Sequence, residues 1–206
     1  MVIRELKPSQ RVEGRWLAVL EDGSILRLGE GEVVRFALYA GKELTDQEAL
    51  DIQDCARRSG LKEKALALLT RKPQSRRELG RKLREWEASD QEAEAICDRL
   101  EELGYLNDGQ YAALVVRHYA ARGYGEKKLR DELYRRGVPR DLWEEALTQA
   151  EDPAEAIDAF VAKKLKGAAV SDPKELKKVS DALARRGYSW SDISEALRRY
   201  GAQWED

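Results

Sequence analysis

An internal step of fifty residues constrains this chain more than any other feature of its sequence. Leu83-Arg84-Glu85-Trp86-Glu87, Leu133-Tyr134-Arg135-Arg136-Gly137 and Leu183-Ala184-Arg185-Arg186-Gly187 end at positions 87, 137 and 187. Leu79, Leu129 and Val179 stand four residues before each leading Leu, which puts both side chains on one helix face. Two residues past the alignment point come Ser89, Pro139 and Ser189, which are helix-start residues. The stripes Ala93/Ile96/Cys97, Trp143/Ala146/Leu147 and Ile193/Ala196/Leu197 follow at matching offsets. An earlier helix opens each unit, marked by Ala65-Leu66-Leu68-Leu69, Tyr111-Ala112-Leu114-Val115 and Ala156-Ile157-Phe160-Val161. Fifty-residue self-similarity of this kind belongs to stacked helical arrays. The expected fold is mainly α: an elongated tandem array of three three-helix repeats over 61–107, 108–150 and 151–206. In the third repeat Ser171-Asp172-Pro173 supplies a further helix start.

Residues 1–60 depart from the repeat and read as an extension made of a β-hairpin and a helix. Arg15-Trp16-Leu17-Ala18-Val19-Leu20 and Ser24-Ile25-Leu26-Arg27-Leu28 flank Glu21-Asp22-Gly23, and an Asp-Gly pair between β-rich runs is a hairpin signal. A hairpin alone is marginal, so it needs a partner such as a short helix near Glu32 to Tyr39. Thr45-Asp46-Gln47-Glu48 has the capping-box form and opens a helix carrying Ala49, Ile52, Cys55 and Ala56 on one side.

Composition narrows the chemistry. One His and two thiols, Cys55 and Cys97, leave neither a metal site nor a nucleophile-base pair, so no catalytic residue and no cofactor is expected. Absence of a disulfide framework, of any apolar run near about 18 residues and of an apolar leader predicts a soluble cytoplasmic protein with no membrane contact. Lys and Arg total 37 against 39 Asp and Glu, a net charge of −2. That near-balance is a cancellation: 1–56 carries −4, 57–87 carries +7, 88–107 carries −5, 108–150 carries +1 and 151–206 carries −1.

The +7 stretch holds Arg71, Lys72, Arg76, Arg77, Arg81 and Lys82, together with Arg57, Arg58, Lys62, Lys64 and Arg84. Either the acidic helix that follows matches these charges on a solvated face, or they meet phosphate or an acidic protein surface. Arg117, Arg122, Lys127, Lys128, Arg130 and Arg136 in the second repeat are interleaved with Tyr119, Tyr124 and Tyr134, a mixture suited to nucleic acid or a polar interface. Tyr134 is expected on a flank, Tyr111 in the apolar stripe and His118 at the surface. Gly123-Tyr124-Gly125 lacks the frame of a phosphate loop and fits a helix end followed by a helix start. Trp86, Trp143 and Trp190 are expected to pack between helices, and Trp204 to lie exposed in a polar tail.

Laid out in this way, the chain resembles the RecX family of bacterial regulators of the recombinase RecA. The resemblance rests on Ala65-Leu66-x-Leu68-Leu69-x-Arg71, Ser75-x-x-Glu78-Leu79-x-x-Lys82-Leu83 and Leu100-x-x-Leu103-Gly104-Tyr105-Leu106-x-Asp108 with Tyr111-Ala112. It continues through Arg117, Arg122-Gly123-Tyr124-Gly125, Leu129, Glu132-Leu133-x-x-Arg136-Gly137-Val138 and Glu145-Ala146-Leu147, covering 61–150 well and the third repeat more loosely. Trp86-Glu87 stands where the family has a basic residue and Gly, and Asn107 replaces an acid. The resemblance implies a monomer lying in the groove of the RecA filament on single-stranded DNA. It also implies inhibition of ATP hydrolysis, strand exchange and coprotease activity, and hence control of recombination and the SOS response. The basic residues from Arg71 to Lys82 and from Arg117 to Arg136 would then contact RecA or DNA phosphate. Direct DNA binding of helix-turn-helix type is the alternative, and a passive scaffold a third.

Overall fold

The computed structural model of the chain describes residues 1–150, 152–165 and 173–200; the expected helix start at Ser171 and Asp172 and the tail residue Trp204 lie outside them. Three strands, β1 (Ile3–Pro8), β2 (Arg15–Leu20) and β3 (Ile25–Gly29), form an antiparallel sheet in the order β1-β2-β3. Ten α-helices follow among the described residues: α1 (Glu30–Arg35), α2 (Asp46–Arg71), α3 (Arg76–Glu85), α4 (Asp90–Glu102), α5 (Asp108–Ala120), α6 (Glu126–Arg136), α7 (Trp143–Leu147), α8 (Pro153–Leu165), α9 (Pro173–Arg185) and α10 (Trp190–Arg199). The three repeats are α2-α3-α4, α5-α6-α7 and α8-α9-α10, and a 3-10 turn at Arg140–Leu142 leads into α7.

The expected hairpin is β2 and β3, with Leu17 opposite Arg27 and Gly23 in the left-handed region at φ +81. It is extended by β1, a strand that the sequence pattern does not mark. Ile3 pairs with Leu20 and Leu6 with Ala18, and a bulge between Ile3 and Glu5 carries the shift in register. The bulge places side chains three residues apart on one face, so the alternation that marks a strand is absent from the sequence. Buried Ile3, Ala18, Leu20 and Leu28 pack with Leu38, Leu44, Ala49 and Ile52, joining the sheet to the first half of α2. Thr45 caps α2 through the reciprocal bonds of a capping box with Glu48, and the helix is continuous across position 60. Two compact units result: 1–72 with 81–105, and 73–80 with everything from Leu106 onward.

Positions at the fifty-residue step share one environment. Leu83, Leu133 and Leu183 are each 0% exposed, and Leu79, Leu129 and Val179 are buried with them. The stripes Ala93/Ile96/Cys97 and Ile193/Ala196/Leu197 are buried, as is Ala146, whereas Trp143 and Leu147 are half-buried. Trp190 corrects the expectation of packing: its side chain is 60% exposed, and exposed Asp90 and Arg140 hold the same slot in the other repeats.

Each second helix ends on a left-handed residue, Glu87 at φ +66, Gly137 at φ +70 and Gly187 at φ +89. For the two glycines, conformation is only half of the requirement. A Cβ at Gly137 would lie 2.1 Å from Cδ of Arg77, and one at Gly187 would lie 2.5 Å from the backbone nitrogen of Lys128. The C-terminal end of α6 therefore receives the first turn of α3, and the end of α9 receives the first turn of α6. Glu87 → Gly should raise stability by about 0.5–1 kcal/mol by relieving the left-handed conformation. Gly187 → Ala should cost more than about 2 kcal/mol, because strain and a backbone clash add. Urea unfolding followed by helical circular dichroism would measure both changes.

Candidate partner-binding surface

The second compact unit contains two joints of one design. At the first, the Ser75 hydroxyl, fully buried, donates to the carbonyl of Arg136 at 2.5 Å and accepts from the amide of Glu78 at 3.1 Å. Ser75 thus caps its own helix and meets the end of α6. Fifty residues on, the amides of Gly125 and Lys127 donate to the carbonyls of Arg186 and Gly187 at 2.9 and 3.1 Å. Free amides at one helix start satisfy free carbonyls at another helix end, so neither set is left without partners. Gly125 has an ordinary φ of −82, and it is glycine because a Cβ there would lie 2.5 Å from the Gly187 carbonyl oxygen.

Arginines at the step reinforce these joints. Arg136 donates to the hydroxyls of Tyr111 at 2.9 Å and Tyr119 at 3.2 Å, and it lies 3.7 Å from both Glu78 and Glu132. Tyr111 donates in turn to Glu78 at 2.8 Å, and burial followed by that bond pushes its phenol up to about 12. Arg186 donates to the Gly123 carbonyl at 3.2 Å and lies 4.7 Å over the ring of Phe160. Arg136, expected to meet a partner, is held inside a joint. Arg186, absent from the expected contacts, does the equivalent work, and the step of fifty from Arg136 is the signal that finds it.

The remaining cations divide by whether an acid holds them. Arg130 is bound at 2.7 Å by Glu126 and at 2.8 Å by Glu144. Lys82 pairs with Glu85 at 2.5 Å, and Arg81 reaches the same carboxylate at 3.7 Å. Acidic α4 matches much of the basic stretch: Glu92 takes Arg57 and Arg58, and Asp90 and Glu94 take Arg84. The Glu92 carboxyl is held down at about 2, chiefly by the hydrogen bond from Arg57 and then by the amide of Ser89.

Arg71 and Lys72 end α2 exposed, where cations complement the helix dipole, and no acid pairs with them among the described residues. Arg76 donates its amide to Asp108 at 2.7 Å, Lys128 is half-buried against Gly187, and Arg122 lies 3.4 Å from His118. Arg117 is exposed on α5 beside a groove of about 530 Å3 that also carries Asp152, Glu155 and Asp192. Arg77, Lys127 and Lys177 are exposed at one step of fifty, near the start of each second helix, without an acidic partner among the described residues. Lys177 was not among the expected contacts, though the step places it in the row. Such a row can neutralise phosphate or carboxylate at repeated intervals. Among the described residues no group of three His, Cys, Asp or Glu side chains could hold a metal ion, and no helix is long and apolar enough to cross a membrane.

A tandem three-helix-repeat protein, with interlocked joints and an exposed cation recurring at the step of fifty, is the class this arrangement defines. Three family models match in order: the first three-helix domain of RecX at 62–100, the second at 107–147 and the third at 150–197. The chain belongs to the RecX family, a family of regulatory proteins. It is 37% identical over 125 residues to the regulatory protein RecX of Pseudomonas putida (strain GB-1), covering 60% of this chain and 80% of that one. It is 38% identical over 128 residues to the regulatory protein RecX of Streptomyces coelicolor, covering 60% and 68%. A crystal structure of regulatory protein RecX matches 96% of this chain and 98% of its own with a TM-score of 0.75 at 22% identity. The crystal structure of RecX from Lactobacillus salivarius matches 70% and 97% with a TM-score of 0.65, also at 22% identity. The two structures bear on the fold alone.

Replacing Arg136 by Met should cost about 2–3 kcal/mol, because Glu78 is left without its cation and the hydroxyls of Tyr111 and Tyr119 lose their donor, while Lys127 → Met should change stability by less than about 0.5 kcal/mol. Denaturant midpoints of the two variants would separate a joint residue from a surface one. A carboxyl held low stabilises fully above its ordinary value of 4.5 and loses that contribution as pH falls toward 2. Stability measured across that interval should therefore fall less steeply for Glu92 → Gln than for the parent chain.

Proposed function

We propose that this chain is a non-enzymatic negative regulator of RecA that binds the recombinase filament on single-stranded DNA and inhibits its ATP hydrolysis, strand exchange and coprotease activity in the cytoplasm. The observation that carries the reading is the row Arg77, Lys127 and Lys177: an exposed cation at the same step in each repeat, with the stem of Arg77 lying against Gly137 in the joint. A partner that is itself a repeating assembly presents acidic groups at intervals, and a row of cations on a repeat protein can meet them without bending to fit. Family membership supports a RecA-related partner. Arg71, Lys72 and Arg117 are exposed and join the contact surface in this reading; Arg76, Arg81, Lys82, Arg122 and Lys128 flank it, and Arg130 and Arg136 hold the scaffold.

ATP hydrolysis by preformed RecA filaments on single-stranded DNA tests the reading. Converting Arg77, Lys127 and Lys177 together to Gln should raise the half-inhibitory concentration at least tenfold while helicity stays unchanged. Equal inhibition by parent and variant would remove the row from the site. Tight, sequence-selective binding to naked duplex DNA that persists at raised salt would favour the helix-turn-helix reading instead.

A further inference from the structure

We propose that the groove between β3 and α2 is a docking site for an extended, acidic segment of a partner polypeptide, which adds to β3 as a fourth strand. Among the described residues β3 is an edge of the sheet, with β2 on one side only. Leu20 donates its amide to the Ser24 carbonyl at 2.9 Å, and Glu30 donates to Gly14 at 3.1 Å, so the even-numbered residues of β3 face β2. Antiparallel pairing alternates, and the backbone groups of Ile25, Arg27 and Gly29 therefore turn outward. Gly29 gives its amide to Glu32 at 2.5 Å, whereas Ile25 and Arg27 make no further backbone bond among the described residues. Two outward residues supply four groups for a ladder.

The groove alongside has a volume of about 620 Å3. Its helical wall is smooth, because Ala56 and Gly60 lie one turn apart and a Cβ at Gly60 would meet nothing within 4 Å. Trp86 and Glu87 close one side, with the Lys64 ammonium 5.9 Å from the Trp86 ring centre. In the other repeats the positions of Trp86 and Glu87 are Arg136-Gly137 and Arg186-Gly187, which receive the start of a preceding helix. Glu87 carries the side chain those glycines must lack, so this end is shaped for something other than another repeat. Charge selects the occupant. Arg15 is paired with Glu63, and Arg57 with Asp54 and Glu92, but Arg27 and Lys64 have no acidic partner among the described residues. Unsatisfied strand groups beside unpaired cations fit an acidic polypeptide, since a nucleic acid would use the cations and leave the strand groups bare.

An acetylated and amidated heptapeptide of alternating Glu and Val, titrated into the full isotope-labelled chain, supplies the test. Hydrogen exchange at the amides of Ile25 and Arg27 should slow at least tenfold at saturation. Arg27 → Glu should weaken binding at least tenfold, and Gly60 → Leu, which favours the helix while filling the groove, should abolish it. Binding that survives Gly60 → Leu, or saturation without protection of those two amides, overturns the proposal. Protection of them by oligothymidylate and not by the peptide would overturn it in favour of nucleic acid.

Discussion

Hydrogen bonding between the open ends of successive second helices is the interaction on which the array depends. A helix cannot satisfy its first amides or its last carbonyls internally. Here the Arg136 carbonyl is bound by the Ser75 hydroxyl, and the carbonyls of Arg186 and Gly187 by the amides of Gly125 and Lys127. Contact this close demands bare backbone on one side, which explains Gly125, Gly137 and Gly187 together. Everything else at the joint adjusts to it. Arg136 and Arg186 lie beside the bonded ends and anchor on tyrosines, carboxylates and carbonyls around them.

One residue type thus serves two purposes in this chain. Arginines at the repeat step are enclosed by hydroxyls, rings and carboxylates and behave as scaffold, whereas Arg77, Lys127 and Lys177 keep their charges in solvent. Acidic α4 draws Arg57, Arg58 and Arg84 into pairs, so local excess charge in the sequence overstates the charge open to a partner. Exposed pairs of this sort add little to stability, but they lower the field that a partner meets.

Much of the fold could be read directly, because three registers of burial agree at one step: Leu83, Leu133 and Leu183 proved equivalent in burial. β1 is hidden, since its bulge sets Ile3 and Leu6 on one face at a spacing of three, which suits a helix face and not the alternation of a strand. Trp190 has the residue type of a packing side chain but the position of an exposed one, as the polar residues at 90 and 140 in the same slot show. For the site, periodicity could have supplied Lys177 and Arg186. Separating Arg136 from Lys127 required knowing that Tyr111, Tyr119 and Glu78 converge on Arg136, and no local pattern reports contacts between residues so far apart in sequence.

The boundary between the compact units falls inside α3, after Gly80, and assigns Ser75 to Glu78 to the body that contains α6. Residues that complete the second repeat are therefore encoded ahead of the first repeat's last helix. A hybrid gene spliced between homologous chains at the boundary of the first and second repeats would part Ser75 from the carbonyl it binds, while a crossover ahead of Pro73 would carry both partners across together. The heritable module is consequently out of phase with the folded one.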